Sequence, residues 1–218
     1  MKLKFKIQQY QTDAVQSVVD VFKGQPNQAN LTYKMDKGKL YVVDSKSQHI
    51  KLVQTSLYTA EKSFFANGSD NEADNGLGYK NNRLAIDKVT LFDNIRQVQL
   101  ANNIHQDEKL VDKLGACQLD VEMETGTGKT YVYIKTMFEL NKHYGWTKFI
   151  VVVPSVAIRE GVKKSFDITV DHFMEQYGKK ARYFIYDSSS LNDIDTFSQS
   201  NDISVMIINT QAFNTMKE

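Results

Sequence analysis

Apolar side chains near the amino end of the chain recur at intervals of three and four residues. Between residues 8 and 23 the apolar positions at this spacing include Ala14, Val15, Val18, Val19 and Phe22. This spacing forms one apolar stripe and predicts a helix over the segment. Residues 24–27, Gly-Gln-Pro-Asn, end that helix, because proline disfavours helical backbone at the preceding residue and glycine accepts a left-handed cap.

The next segment changes from helical spacing to short runs of β-forming residues. Two such runs lie between residues 31 and 53, on either side of the sequence Asp-Lys-Gly-Lys at 36–39. Because Gly38 can adopt the positive φ of a tight turn, this pattern predicts a β-hairpin. Residues 66–82 are almost wholly polar and contain three glycines. We expect them to form an exposed, weakly ordered loop.

Helical spacing returns at residues 84–114, where it predicts two helices, one around 91–99 and one around 110–114. Beyond them, apolar runs alternate with helical stretches. The runs lie at 117–123, 149–153, 182–186 and 203–208, and the helical stretches at about 129–142 and 156–177. Alternation of strands and helices is typical of a parallel sheet covered on both faces, so the second half is predicted to be α/β.

Composition sets limits on what this protein can be. The chain has 218 residues, 41% of them hydrophobic and 24% charged, which is enough for one core with a smaller appended lobe. The single cysteine, Cys117, excludes an intrachain disulfide and a cysteine-based zinc site. No apolar stretch approaches the roughly 20 residues of a membrane span, and no signal peptide is evident. We therefore expect a cytoplasmic protein without membrane association.

Charge and scattered polar residues give little direction towards a function. The net charge of +1 supplies no bulk attraction for nucleic acid, so an argument for DNA binding has to come from motifs. The four histidines are far apart in the sequence and are expected on the surface rather than at a metal. The three serines at 188–190 are not part of a G-x-S-x-G motif, and a helix-capping turn explains them.

The strongest chemical signal is a glycine-rich turn between a predicted strand and a predicted helix. Residues 123–130, the phosphate loop, read Met-Glu-Thr-Gly-Thr-Gly-Lys-Thr. Gly126 and Gly128 allow successive N–H groups to converge on phosphate oxygens, and the helix amino terminus adds partial positive charge. Lys129 would contact the β- and γ-phosphates, while the Thr130 hydroxyl would coordinate Mg²⁺ held by ATP. The predicted nucleotide-binding residues also include Thr125 and Thr127, and Lys129 and Thr130 are the candidate catalytic residues.

The loop departs from the strict G-x-x-x-x-G-K-[ST] pattern, because Met123 replaces the first glycine. In this form it resembles the superfamily 2 helicases and translocases, where that glycine is often absent, and within that group the restriction subunit of type III restriction-modification enzymes. The resemblance implies a RecA-like P-loop domain with a parallel sheet flanked by helices. Residues 10–15, Tyr-Gln-Thr-Asp-Ala-Val, look like the motif whose glutamine reads adenine, which makes Gln11 the candidate. The alternative is that Gln11 is a solvated helix residue.

Two further stretches resemble the DNA-backbone motifs of such motors. Residues 151–162 contain Pro154, Ser155 and Arg159, and residues 207–213 contain Thr210 and Gln211. A hydroxyl and free N–H groups at a helix amino terminus suit a phosphodiester, and an arginine can add a charge-assisted bond. The alternative for the first stretch is a simple capped helix with Arg159 on its solvated face.

The resemblance also implies an organisation of the chain. Residues 1–27 are expected to carry the adenine-side helix, 28–90 a variable insertion with the hairpin and polar loop, and 91–218 the first RecA-like motor domain. The acidic motif that holds Mg²⁺ and the second motor domain, which supplies an arginine finger, are not found. We therefore expect a fragment of a longer protein that binds ATP weakly and hydrolyses little or none of it alone.

In the intact enzyme, the resemblance implies ATP-dependent translocation along double-stranded DNA and its cleavage, together with a modification methyltransferase subunit. Two alternatives remain open at this point. One is another superfamily 2 helicase acting on DNA or RNA. The other is a regulatory module that binds nucleotide without motor activity, which predicts ATP affinity that DNA does not change.

Overall fold

The structure is a computed structural model that describes residues 5–34, 40–43, 50–53, 77–113, 115–187 and 191–211. Its helices are α1 (Gln9–Val21), α2 (Lys88–Ala101), α3 (Lys129–Tyr144), α4 (Val156–Tyr177) and α5 (Leu191–Gln199). Its strands are β1 (Leu31–Lys34), β2 (Leu40–Val43), β3 (Ile50–Val53), β4 (Leu77–Lys80), β5 (Lys148–Val153), β6 (Arg182–Ile185) and β7 (Ser204–Asn209).

The second half of the chain forms a parallel sheet with strand order β5-β7-β6. In register, Val151 lies opposite Ile207, which in turn lies opposite Ile185. The three strands are the apolar runs at 149–153, 182–186 and 203–208, and helices connect them. The predicted α/β class and the parallel sheet are thus confirmed for the described residues.

Helix α3 is the central element of the core, because it packs on both sides. One cluster joins α3 to α1 and α2; its buried members include Val19, Leu91, Val132, Leu140 and Trp146. A second cluster joins the opposite side of α3 to α4 and the parallel sheet; its buried members include Ile134, Phe138, Phe166, Phe173 and Val205. Polar residues of α3, among them Lys135, Thr136 and Asn141, are buried together with its apolar ones. The helix that follows the phosphate loop is therefore held firmly in place.

Local sequence signals set the ends of the two long helices. Ser155 caps α4 by accepting a hydrogen bond from the Ile158 N–H, and Gly178, at φ +65°, ends it. Gly128 at φ +90° precedes α3, and Gly145 at φ +75° follows it. These left-handed positions favour glycine because it has no Cβ. The predicted helix at 156–177 is confirmed at both ends.

The apolar run at 117–123 does not form the strand that its pattern predicts. Cys117, Leu119 and Met123 pack against the cluster of α1, α2 and α3, whereas Val121 is exposed. The alternation of apolar and polar positions is therefore used to cover the helices rather than to pair with β5. Alternate side chains can be buried against helices without any strand pairing. The apolar pattern alone therefore did not distinguish a paired strand from a segment that packs on helices.

The predicted hairpin around Gly38 is wrong in its pairing. Strand β1 pairs antiparallel with β4, and β2 pairs with β3. The predicted turn at 36–39 lies outside the described residues. Of the predicted polar loop at 66–82, residues 66–76 also lie outside them, and 77–80 form strand β4. A sequence pattern predicts pairing between neighbouring β-forming runs. A strand that is distant in sequence can pair instead when its register matches, as β4 does here.

The second predicted helix, around 110–114, is absent from the described residues of that segment. After α2, the backbone instead folds back on that helix through polar side chains. Gln99 exchanges hydrogen bonds with Asp107, and the Gln106 side chain donates to the Arg96 carbonyl at 2.9 Å. Local side-chain bonds of this kind compete with helix formation. No helix in the described part of the chain is long and apolar enough to cross a membrane.

Candidate functional site

The phosphate loop, residues 123–130, runs directly into the amino terminus of α3. Helix α3 runs from the loop to Tyr144, and only residues 145–147 separate it from the start of β5. Its Ile134 lies in the same buried cluster as Val205 of β7, the strand beside β5.

Two glycines shape the loop. Gly126 has φ +84° and Gly128 φ +90°. Beside Gly126, an added Cβ would meet open space, whereas beside Gly128 it would lie 2.6 Å from Gln11 Nε2. The Thr127 hydroxyl donates to the Glu124 carbonyl at 2.6 Å and closes the turn. The two glycines thus allow a tight, left-handed path that leaves one side of the loop open.

Lys129 is bound to its own loop. Its Nζ donates to the Met123 carbonyl at 2.6 Å and to the Glu124 carbonyl at 2.9 Å. An ammonium group has three donors, so one remains free in this arrangement. Met123, where the strict motif has glycine, contributes through its backbone carbonyl, a contact that does not depend on the side chain. The lysine is therefore already placed over the loop.

The amino terminus of α3 has free donors. No side chain caps it, and the first hydrogen bond of the helix runs from the Val132 N–H to the Gly128 carbonyl at 3.0 Å. The N–H groups of Lys129, Thr130 and Tyr131 precede that bond and have no acceptor within the helix. Together with the helix dipole, they make this terminus suited to an anion.

Helix α1 docks directly on the loop. The Gln11 Nε2 donates to the Thr127 carbonyl at 2.8 Å, and the Tyr10 hydroxyl donates to the same oxygen at 3.2 Å. Gln11 is half-buried and is not a solvated helix residue. Its second N–H and its carbonyl stay available, and these are the donor and acceptor that an adenine edge needs. The structure thus brings Gln11 to the loop, a contact between residues far apart in sequence.

The two stretches predicted to contact a DNA backbone are neighbours at the same sheet edge. The Thr210 N–H donates to the Val153 carbonyl at 3.0 Å, and its hydroxyl reaches the Pro154 carbonyl at 3.5 Å. Gln211 is exposed beside them, and its Oε1 accepts from the Asn209 amide at 3.4 Å. The carboxyl ends of β5 and β7 therefore present one continuous polar surface.

Ser155 and Arg159 differ in how accessible they are. The Ser155 Oγ accepts from the Ile158 N–H at 3.3 Å, which leaves its hydroxyl hydrogen free to donate. Arg159 is not on a solvated face, because its side chain is only 21% exposed. One of its terminal nitrogens lies 3.2 Å from Glu160, and its Nε is buried without a hydrogen-bond partner. An unpaired buried donor of this kind is unusual in a folded protein.

Sequence reasoning missed two tyrosines of α3. Tyr131 places its hydroxyl 2.9 Å from His172 Nε2, and Tyr133 has a buried hydroxyl with no hydrogen-bond partner. Of the described histidines, His105 and His143 are exposed as expected, whereas His172 is half-buried and burial lowers its pKa. Aromatic residues at helical spacing look like core residues in a sequence, so nothing in the pattern marked these two. Among the described residues, no group of His, Cys, Asp and Glu could hold a metal ion.

Comparison with known proteins adds an independent line of argument. A family model described as "Type III restriction enzyme, res subunit" matches residues 4–218. The chain is 39% identical over 111 residues to the EcoP15I Res subunit of a type III restriction-modification enzyme of Escherichia coli, an alignment that covers 50% of this chain and 11% of that protein. It is 36% identical over 110 residues to the EcoPI Res subunit of Escherichia phage P1, with coverage of 50% and 11%.

A third relative is the StyLTI Res subunit of Salmonella typhimurium, which is 51% identical over 61 residues, or 27% of this chain and 6% of that protein. The matched stretches thus cover about a tenth or less of the relatives' length.

Proposed function

Because the chain belongs to the family of type III restriction enzyme res subunits, we propose that it binds ATP·Mg²⁺ at the phosphate loop and forms part of a DNA-translocating motor. The observation that carries this proposal is the docking of Gln11 on a glycine loop that runs into an uncapped helix amino terminus. Adenine recognition and phosphate binding would then meet at a single backbone segment. A solvated glutamine does not account for that contact.

The residues present fit a nucleoside triphosphate. The free N–H groups at the start of α3 suit phosphate oxygens, and Lys129 has one donor to spare while two hold the loop carbonyls. The Thr130 hydroxyl supplies the hard oxygen ligand that Mg²⁺ prefers. Bound Mg²⁺ would neutralise phosphate charge and orient the terminal phosphoryl group. Thr125 and Thr127, at the two sides of Gly126, would complete the wall of the loop.

On the adenine side, Gln11 would use its remaining N–H and its carbonyl to pair with the base. These two groups match the acceptor nitrogen and the amino group on one edge of adenine. Guanine presents a carbonyl where adenine has the amino group, so the amide would have to turn over and break its bond to Thr127. The same glutamine would thus select the base and hold the loop.

We propose that duplex DNA binds along the surface formed by Pro154, Ser155, Thr210 and Gln211, with Arg159 supporting it from a largely buried position. These groups would contact phosphates rather than bases, which suits a motor that moves along any sequence. The relatives' names describe Res subunits of restriction-modification enzymes. By extension, the intact protein would translocate on and cleave DNA together with a modification methyltransferase subunit.

The test is calorimetric titration of ATP·Mg²⁺ into the chain, into Lys129→Ala and into Lys142→Ala, with and without duplex DNA. Lys142 is the matched control, because it lies in the last turn of the same helix with its side chain 62% exposed. Loss of charge-assisted bonds to phosphate should weaken binding roughly 10- to 100-fold in Lys129→Ala. Lys142→Ala should bind as the wild type does.

Two results would contradict the proposal. Equal ATP affinity in all three folded proteins would reject the phosphate site. Saturable binding that duplex DNA leaves unchanged would reject the motor assignment and favour a regulatory nucleotide-binding module instead.

A further inference from the structure

Tyr133 carries a buried polar group that the site described above does not use. Its hydroxyl is fully covered and has no hydrogen-bond partner, although a buried hydroxyl ordinarily has one. The ring packs at the margin of the cluster formed by α3, α4 and the parallel sheet. A phenylalanine would fill the same space without a buried unpaired donor and acceptor, so packing alone does not explain the hydroxyl.

The position of Tyr133 on the helix directs it towards Thr130. Residues three apart lie on the same helix face, and long helical side chains lean towards the amino terminus over the preceding turn. The Tyr133 side chain therefore leans over the turn that contains Thr130. Burial raises the pKa of Tyr133 and the Thr130 hydroxyl lowers it, although no atom meets hydrogen-bond geometry with the Tyr133 hydroxyl. Thr130 and Tyr133 thus lie one helical turn apart on the same face of α3, without a hydrogen bond between their hydroxyls.

We propose that Tyr133 is a positioning residue for Mg²⁺, whose hydroxyl oxygen accepts a hydrogen bond from the Thr130 hydroxyl when that threonine is a metal ligand. This inference rests on the proposed ATP·Mg²⁺ site. A hydroxyl bound to a cation becomes a stronger donor, and its hydrogen needs an acceptor on the side away from the metal. When the Thr130 hydroxyl donates its hydrogen bond to the Tyr133 oxygen, the lone pairs of Thr130 remain available to coordinate Mg²⁺.

The variant Tyr133→Phe separates this role from packing. Calorimetry with ATP and Mg²⁺, and again with ATP and a chelator, gives the factor by which Mg²⁺ raises ATP affinity. We expect that factor to fall about three- to tenfold in Tyr133→Phe, as for loss of one hydrogen bond, while affinity in chelator stays unchanged. Because the lost hydroxyl has no partner, the variant without nucleotide should unfold at the same urea concentration as the wild type or a higher one.

The control is Tyr144→Phe, which removes a hydroxyl from the last turn of the same helix, where it donates to the Val19 carbonyl at 2.8 Å. It should leave the effect of Mg²⁺ at the wild-type value. In a Thr130→Val background, Tyr133→Phe should have no further effect on the Mg²⁺ factor, because the donor is gone.

An unchanged Mg²⁺ factor in a folded Tyr133→Phe protein overturns the inference, and so does an equal loss of affinity with and without the metal. If the wild type binds no ATP under either condition, the proposed nucleotide site fails and this role fails with it. If ATP binds but Tyr133→Phe leaves the Mg²⁺ factor unchanged, the nucleotide site is retained and only the positioning role is rejected.

Discussion

The substitution Gly128→Ala tests how closely helix α1 controls the phosphate loop. Gly128 has φ +90°, and an alanine Cβ there would lie 2.6 Å from Gln11 Nε2. Gly126 has φ +84° with no atom within 4 Å of its would-be Cβ. Both glycines therefore require a left-handed backbone, but only an alanine at position 128 would collide with Gln11.

The expected magnitudes follow from these two terms. A residue with a side chain in the left-handed region costs about 1–2 kcal/mol, which applies to both alanine variants. In Gly128→Ala the glutamine amide must also move and lose its bond to the Thr127 carbonyl, worth about 0.5–1.5 kcal/mol. The free energy of unfolding should therefore fall by about 1–2 kcal/mol in Gly126→Ala and about 1.5–3.5 kcal/mol in Gly128→Ala.

Thermal unfolding followed by circular dichroism measures the difference. For a chain of this size, each kcal/mol corresponds to a change in Tm of about 2–4 °C. The difference between the two alanine variants should disappear when both are made in a Gln11→Ala background, because the collision partner is then gone. Equal Tm values for the two variants, or a difference that persists without the Gln11 amide, would refute the docking argument.

Two further predictions concern the packing behind the site. Phe173→Ala should lower the free energy of unfolding by about 3–5 kcal/mol, measured by urea denaturation, because the ring is 2% exposed and stacks 4.8 Å from Phe138; a loss under 1 kcal/mol would show that this packing is not formed. The lowered pKa of His172, caused mainly by burial, means that the unfolded chain binds a proton more readily than the folded one. Wild-type stability should therefore fall as the pH drops below about 6.5, and His172→Gln should reduce that slope; identical slopes between pH 7.5 and 5 would contradict it.

Local signals in the sequence carried a large part of the fold. Helix α4 was predicted over its observed length, and Ser155 and Gly178 cap its two ends in the structure. Strands β5 and β7 were predicted from apolar runs bounded by polar residues. These features depend on residues next to one another in the chain, and such features can be read without knowledge of the rest of the fold.

Most of the failures involve a partner that is distant in sequence. Strand β4, predicted as part of a polar loop, is recognised only through its pairing with β1. The run around Leu119 packs against helices instead of pairing as a strand. Gln11 could be assigned to the nucleotide only by resemblance, since no spacing rule links it to Thr127. Tyr133 was invisible because its distinguishing property is a missing hydrogen-bond partner, which exists only in three dimensions.

The pairing of β1 with β4 has a consequence for how this protein can vary. Lys34 and Leu77 are partners in the ladder, so the chain excursion between them begins and ends at one point. The entropy lost on closing such an excursion grows with the logarithm of its length, by about 0.6 kcal/mol per doubling. The segment at 35–76 can therefore be exchanged, shortened or replaced by another module with little loss of stability. An insertion of the same size between β5 and α4 would instead separate Pro154 from Thr210 and divide the polar surface.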